Sequence, residues 1–194
     1  MSICDKGIGT DLAIMGAHLP KVENGKWHCK WRVEKFFDTD EHEIAGKIPD
    51  EVFEDEGNLL MNGGVSCLWE ALLGNGTGTA AQTLTYFDNG NAYIGVGDSS
   101  TAAAATQTDL QAASNKTRQG MASTYPQHTD GTTSGSQTVT FQAVFGTSSA
   151  NYAWAEWAIF NGSSGGRMLN RAVSSMGTKA SGSTWTITAT ITIS

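Results

Sequence analysis

The chain has 194 residues, of which only 16% are charged, and its formal net charge at pH 7 is −7. Because nucleic-acid phosphates are bound by clusters of Lys and Arg, this acidic balance argues against a nucleic-acid partner. No run of 18 apolar residues is present, and residues 1–10 lack the basic and apolar regions of a leader, so neither a membrane partner nor a secretory signal is predicted.

Charge divides the sequence near Gly57. Residues 1–57 contain 7 Lys and Arg against 13 Asp and Glu, a net charge of −6, whereas residues 58–194 contain 5 and 6, a net charge of −1. The first part has few apolar runs and is too polar to form a large core alone. We therefore predict an acidic N-terminal arm or small β-lobe for attachment over 1–57, with a strand at 27–37 and a solvated acidic stretch at 51–56.

The spacing of apolar residues from 58 to 73 predicts one short helix at the start of the second domain. Asn58 is a plausible N-cap, and Gly74 is a plausible stop. Two adjacent glycines, Gly63 and Gly64, indicate either a break in this helix or close packing against another element. The helical spacing is carried by Leu59, Leu60, Val65, Cys67, Leu68, Trp69, Leu72 and Leu73.

Residues 58–194 otherwise have the pattern of an antiparallel β protein. Strands are predicted at 92–96, 137–145, 152–160, 168–173 and 183–193, and 102–113 is predicted to be a short helix or an irregular packed segment. The second and third of these strands, joined by a turn at 146–151, are expected to form a hairpin. Strands about ten residues apart with Gly and Ser turns predict a mainly β fold, an antiparallel β-sandwich or jelly-roll-like domain over 58–194.

The last strand alternates without interruption. Its apolar side is expected to face the core, and its threonine side is the preferred candidate for contact with a sister subunit. The apolar side consists of Trp185, Ile187, Ala189, Ile191 and Ile193, and the other side of Thr184, Thr186, Thr188, Thr190 and Thr192.

Gly97-Asp98-Ser99 resembles the nucleophile motif of the GDS esterases and lipases. Those enzymes need an Asp-x-x-His motif late in the chain, but here the last histidine is His128 and Asp130 follows it. We therefore expect a turn in which Asp98 and Ser99 bind nearby backbone groups, and no catalytic residue.

Metal sites are not predicted either, although two sets of ligand-type residues occur. The first set consists of His28, Cys29, His18, His42 and Cys4. Because His28 and Cys29 are adjacent in a strand, they would point to opposite faces and could not easily share one site. A second set is too irregular for an EF-hand loop and is expected to be a solvated turn. It consists of Asp38, Asp40, Glu41 and Glu43. No cofactor is predicted.

The aromatic residues of 152–160 permit two interpretations. Tyr152 and Trp154 are candidates for stacking a host glycan, whereas burial in the core is the more common use of such side chains. Alternation places them on the same face as Glu156, which is expected to pair with Arg167 or Arg171 where strands meet.

The three cysteines, Cys4, Cys29 and Cys67, are expected to be reduced thiols of a protein made in a cytoplasm. Because their number is odd, at least one must stay free or bond to another chain. An intermolecular disulfide is the alternative.

Several blocks of residues 58–194 resemble a family of tailed-bacteriophage virion structural proteins. They are NAYIGVGDSS at 91–100, TDLQA at 108–112, NYAWAEWAIFN at 151–161, MLNR at 168–171 and GTK at 177–179. The resemblance implies a non-enzymatic virion component, made in the host cytoplasm, without specifying functional residues. We expect a homo-oligomeric head decoration or neck (collar) protein bound to capsid, neck or tail proteins. The alternatives are a tail-fibre or baseplate protein, a host-glycan-binding module and, most remotely, a GDS-type esterase.

Overall fold

A computed structural model of the chain describes residues 26–74 and 84–194. Within these residues the structure has one helix, Asn62–Leu73 (α1), and ten strands. The strands are Trp27–Phe36 (β1), Glu51–Glu56 (β2), Leu59–Leu60 (β3), Tyr93–Gly97 (β4), Lys116–Gly120 (β5), Gln127–His128 (β6), Thr138–Phe145 (β7), Ala153–Phe160 (β8), Met168–Thr178 (β9) and Thr184–Ile193 (β10). This helix is too short to span a membrane, and the described part of the chain has no other that could.

The strands form two antiparallel sheets that pack face to face. The first sheet has the order β2-β1-β10-β7-β6, and the second has the order β3-β9-β8-β4-β5. The main core lies between them and combines Val33, Phe145 and Ile187 of the first sheet with Val96 and Ile159 of the second. The predicted mainly β fold with a sandwich architecture and a short helix is therefore confirmed.

The terminal strand β10 lies at the centre of the first sheet, between β1 and β7. Trp185, Ile187, Ala189 and Ile191 are buried as predicted, whereas Ile193, at the end of the strand, is 54% exposed. The Trp185 ring lies edge-on to Trp154 with centroids 4.8 Å apart. Most of the predicted apolar face therefore does face the core.

The predicted separation of residues 1–57 from the β-domain is not observed in the described part of that segment. β1 pairs with β10 along all ten of its residues, so residues 27–56 belong to the sandwich instead of forming an arm or a separate lobe. Lys30 and Arg32 are exposed on the outward side of β1, while Trp31 and Val33 are buried in the core; the one inward charge of this strand, Lys35, is buried and pairs with Glu51. Residues 1–25 lie outside the described residues.

The predicted hairpin of 137–145 and 152–160 is also wrong. β7 pairs with β10 and β6 in the first sheet, whereas β8 pairs with β4 and β9 in the second. The intervening turn carries the chain from one sheet to the other. Phe145 and Trp154, at its two ends, meet across the core with ring centroids 4.8 Å apart.

The predicted helix over 58–73 begins later than expected. Leu59 and Leu60 pair with β9 as strand β3, and Met61 precedes the helix without a side-chain cap, so Asn58 is not the N-cap. Gly74 ends the helix in the left-handed region, with φ 64°, as predicted. Residues 102–113 are the irregular packed segment, with Leu110 and Ala112 buried.

Candidate interaction surface

Helix α1 packs closely on β9 through a glycine. A Cβ atom at Gly64 would lie 2.5 Å from the carbonyl oxygen of Leu169 and 2.7 Å from its Cα, so this position admits no side chain. Immediately before the helix, the Met61 amide donates to the Leu169 carbonyl at 2.9 Å. The adjacent glycines therefore mark close packing and not a break in the helix.

A buried polar cluster fixes the inner side of the same helix. Arg167 Nη1 donates to Glu70 Oε2 at 2.7 Å and to Cys67 Sγ at 3.5 Å. The opposite side of the Glu70 carboxylate accepts a hydrogen bond from Ser66 Oγ at 2.9 Å. The hydrogen bond from Arg167 holds the pKa of Glu70 below its usual value, and burial raises the pKa of the Cys67 thiol. The Glu70–Arg167 ion pair is thus charged, and it anchors the second half of α1.

The outer side of α1 is apolar, and no described residue of the chain covers it. Four large side chains are exposed there: Leu68 (42%), Trp69 (58%), Leu72 (73%) and Leu73 (74%). Glu70 is the only charged residue of the helix, and it points inward to Arg167. We call these four side chains the α1 face. A contiguous apolar patch of this kind on an anchored element is typical of an interaction site.

The sequence predicted the helix but not this surface, because the four residues were interpreted only as part of the apolar spacing that indicates a helix. The signal was nevertheless present. A surface helix needs one apolar stripe, but α1 has apolar residues on more than one side. Its inner contacts are made by Gly64, Cys67 and Glu70 instead.

The threonines of β10 are only partly accessible. Thr184 and Thr186 are buried, and Thr184 Oγ1 donates to the Thr39 carbonyl at 2.8 Å. Thr188 and Thr190 are half-buried and bind the neighbouring side chains of β7, with Gln142 Nε2 3.0 Å from Thr188 Oγ1. Much of this face therefore contacts its own chain, and its contact with a sister subunit stays a prediction.

Glu156 pairs with Arg171, one of its two predicted partners, whereas Arg167 binds Glu70. Arg171 Nε lies 2.7 Å from Glu156 Oε2, and both side chains are fully buried. The same carboxylate accepts hydrogen bonds from the amides of Gln111 and Ala112 at 3.0 and 2.7 Å. This ion pair therefore holds the irregular segment against the second sheet.

The Glu156 carboxylate leaves no room for a side chain at Gly97, the glycine of the GDS-like motif. A Cβ at Gly97 would lie 2.6 Å from Glu156 Oε1. Ser99 Oγ donates to Thr101 Oγ1 at 3.0 Å and accepts from the Thr101 amide at 3.2 Å, while Asp98 binds Asn115. Among the described residues, Ser99 therefore binds a nearby backbone amide, as predicted, whereas Asp98 binds a side-chain amide.

Of the two interpretations of the aromatic residues, Trp154 follows burial in the core and not glycan stacking. A register shift in β8 between Trp154 and Glu156 reverses the alternation, so the indole enters the main core and is 1% exposed. Tyr152 is half-buried, and its hydroxyl donates to the Val96 carbonyl at 3.2 Å. The two rings therefore form no exposed platform.

Two of the three cysteines lie among the described residues. Cys29 and Cys67 are both free and buried, so the alternative of an intermolecular disulfide would require either side chain to become exposed. Burial raises the pKa of Cys29 to about 12, which makes this thiol unreactive. Cys4 lies outside the described residues.

The ligand-type residues do not assemble into a metal centre in the part of the chain that the structure describes, where no three of them come together. His28 is exposed and Cys29 is buried, on opposite faces of β1 as predicted. Glu41 instead accepts a hydrogen bond from the Thr147 amide at 3.2 Å, and Asp40 accepts one from the His42 amide at 3.0 Å. His18 lies outside the described residues.

Comparison of the chain with protein-family models, with curated proteins and with solved structures found no match.

Proposed function

We propose that this chain is a non-enzymatic structural subunit of a tailed-phage particle, a homo-oligomeric head decoration or neck protein. The observation that carries the proposal is the α1 face, where four apolar side chains are presented to solvent by a helix that is anchored on its other side. A subunit that must bind a neighbour needs such a preformed surface, because little conformational freedom is then lost on assembly.

The family resemblance supports the same function. Two of the resembling blocks contain β4 and β8, which are adjacent in the second sheet and contribute Val96 and Ile159 to the core. Such residues specify a fold and not a site. Ser99, which carries the enzymatic resemblance, exchanges its side-chain hydrogen bonds with Thr101, and they link it to no base within residues 26–74 and 84–194.

The decisive experiment is quantitative mass spectrometry of purified particles of the phage that encodes the chain. We expect the chain to remain with intact particles through a density gradient. Its copy number should have a constant ratio to that of one symmetrically arranged virion protein. Gold-labelled antibody then places it on the head, the neck or the tail, and a label on the fibres or baseplate would support the tail alternative. A phage replication protein measured in the same fractions is the control for contamination.

Recovery of the chain only in the soluble lysate would overturn the proposal. A separate assay addresses the enzymatic alternative. We expect no hydrolysis of p-nitrophenyl acetate above that of a Ser99→Ala variant. Hydrolysis by the wild-type chain that the substitution abolishes would contradict a non-enzymatic role.

A further inference from the structure

We infer that the α1 face is the contact between two copies of this chain, each covering the α1 face of the other. The inference rests on the proposed function, in which the chain is an oligomeric subunit, and it names the surface through which the copies meet. The sequence favoured the threonine face of β10, in the first sheet, for this contact. We now assign the contact to α1, which packs on the second sheet.

The geometry of the four side chains suits helix-on-helix packing. Leu68 and Leu72 are four residues apart, as are Trp69 and Leu73, so they form two adjacent ridges along the second half of α1. Ridges of this spacing interdigitate with the same ridges of a second helix, which is the commonest mode of helix packing. A patch that fits a copy of itself closes a symmetric pair.

The distribution of charge favours a second copy over a charged partner. The α1 face carries no charge of its own, and Glu70 is neutralised by Arg167 on the inner side of the helix. A basic partner would instead be attracted to the acidic edge strand β2, which carries Glu51, Glu54, Asp55 and Glu56. Two copies that meet through α1 therefore place no like charges in contact.

The area is sufficient for a weak specific pair. The exposed parts of the four side chains amount to on the order of 500 Å² per copy, or about 1,000 Å² for both, which is the lower limit of specific interfaces. Isolated copies should therefore associate weakly. Attachment to a symmetric particle raises their effective concentration, and a weak contact is then occupied.

Ionic strength distinguishes this contact from an electrostatic one. Each chain carries a net charge of −7, so two copies repel at long range. Salt screens this repulsion, with a Debye length of about 8 Å at 0.15 M, while an uncharged apolar contact is not weakened. Association is therefore expected to tighten as salt increases.

The test is sedimentation equilibrium of the full chain at several concentrations, compared with two double variants. Trp69→Glu/Leu72→Glu places two carboxylates in the α1 face. The control, Ile48→Glu/Val52→Glu, makes the same change of charge at residues that are 90% and 44% exposed elsewhere. We expect the wild type and the control to form dimers. The dimer dissociation constant of the α1 variant should be at least about tenfold higher.

A wild-type chain that stays monomeric overturns the inference, as does an oligomer that both double variants weaken equally. Circular dichroism verifies that each variant is folded. If the α1 variant does not fold, hydrogen exchange of the wild type decides instead. Amides of residues 62–73 should be more protected in concentrated than in dilute solution, and protection independent of concentration overturns the inference. Neither result depends on whether the chain is found in phage particles, which tests the proposed function separately.

Discussion

Glu156 is a fully buried charged residue of β8 that lies between the second sheet and the irregular segment packed on its outer face. Its carboxylate binds Arg171 and two backbone amides, while Arg171 also donates to Gln107 and to the Thr101 carbonyl. The buried charges are thus paired and their remaining hydrogen-bonding groups satisfied, which burial of an ion pair requires. The main effect of the Glu156–Arg171 ion pair is to attach the 101–112 segment to the second sheet.

Glu156→Ala should therefore lower the free energy of unfolding by about 3–5 kcal/mol, because Arg171 remains buried without a counter-charge. Urea unfolding followed by tryptophan fluorescence measures the change. Glu43→Ala is the control: it removes an exposed carboxylate paired with Lys47 and should cost less than about 1 kcal/mol. Equal effects of the two substitutions would refute this account of Glu156.

Lys179 gives a prediction for pH dependence. Its ammonium group donates to the Gly146 carbonyl at 2.7 Å and to Asn151 Oδ1 at 2.8 Å, and desolvation lowers its pKa from 10.5 to about 8. Between these two pH values the unfolded chain binds the proton and the folded chain does not. The contribution of Lys179 to the free energy of unfolding should therefore rise as the pH increases from about 8 towards 10.5.

The measurement is the difference in the free energy of unfolding between wild type and Lys179→Met at pH 7, 8 and 9. Groups such as Cys29 and Tyr152 titrate in both proteins, so their effects cancel in the difference. The difference should shift in favour of the wild type as pH rises. A difference that stays constant across this range would show that Lys179 keeps its ordinary pKa.

At the scale of the element, two adjacent glycines of α1 have opposite expected effects. Gly64→Ala places a methyl group against the Leu169 backbone, which cannot rotate away, and should cost about 1–3 kcal/mol. At Gly63 the nearest atoms would be 3.6 Å from a Cβ, an ordinary contact, so Gly63→Ala should be neutral or stabilise by up to about 1 kcal/mol. Thermal unfolding of the two variants tests both signs, and a loss of stability at Gly63 as large as at Gly64 would contradict the packing described.

Elements were predictable where the local pattern alone decides the structure. The alternation of β10 and the Gly74 stop of α1 required no knowledge of distant residues. Leu59 and Leu60, in contrast, have helical spacing but pair with β9, and β7 and β8 look like a hairpin but belong to different sheets. In both cases strands that are distant in the sequence determine which structure forms. The α1 face was missed for a related reason: apolar spacing predicts a helix without showing which side the rest of the fold covers.

At the scale of the whole molecule, sequence composition was a misleading guide to domain organisation. The acidic character of residues 1–57 indicated a separate unit, yet β1 lies between β2 and β10 in the first sheet. In a two-layer fold an outward strand face is free to carry charge while the inward face packs. The exposed carboxylates of β2 therefore contribute to the acidic composition of the segment, whereas Trp31 and Val33 of β1 determine where it folds.

This organisation predicts how the chain behaves when it is divided at Gly57. A fragment of residues 58–194 lacks β1 and β2, so β10 loses one of its two neighbours and the core loses Cys29, Trp31 and Val33. Exposed strand edges and apolar surface promote aggregation, so this fragment should be insoluble when expressed alone. Coexpression with residues 1–57 should restore a soluble complex in which the two fragments copurify, and a Val33→Asp change in the shorter fragment should abolish that rescue. A 58–194 fragment that is soluble and shows the circular dichroism of a folded β-sandwich would instead support the division that the charge pattern indicated.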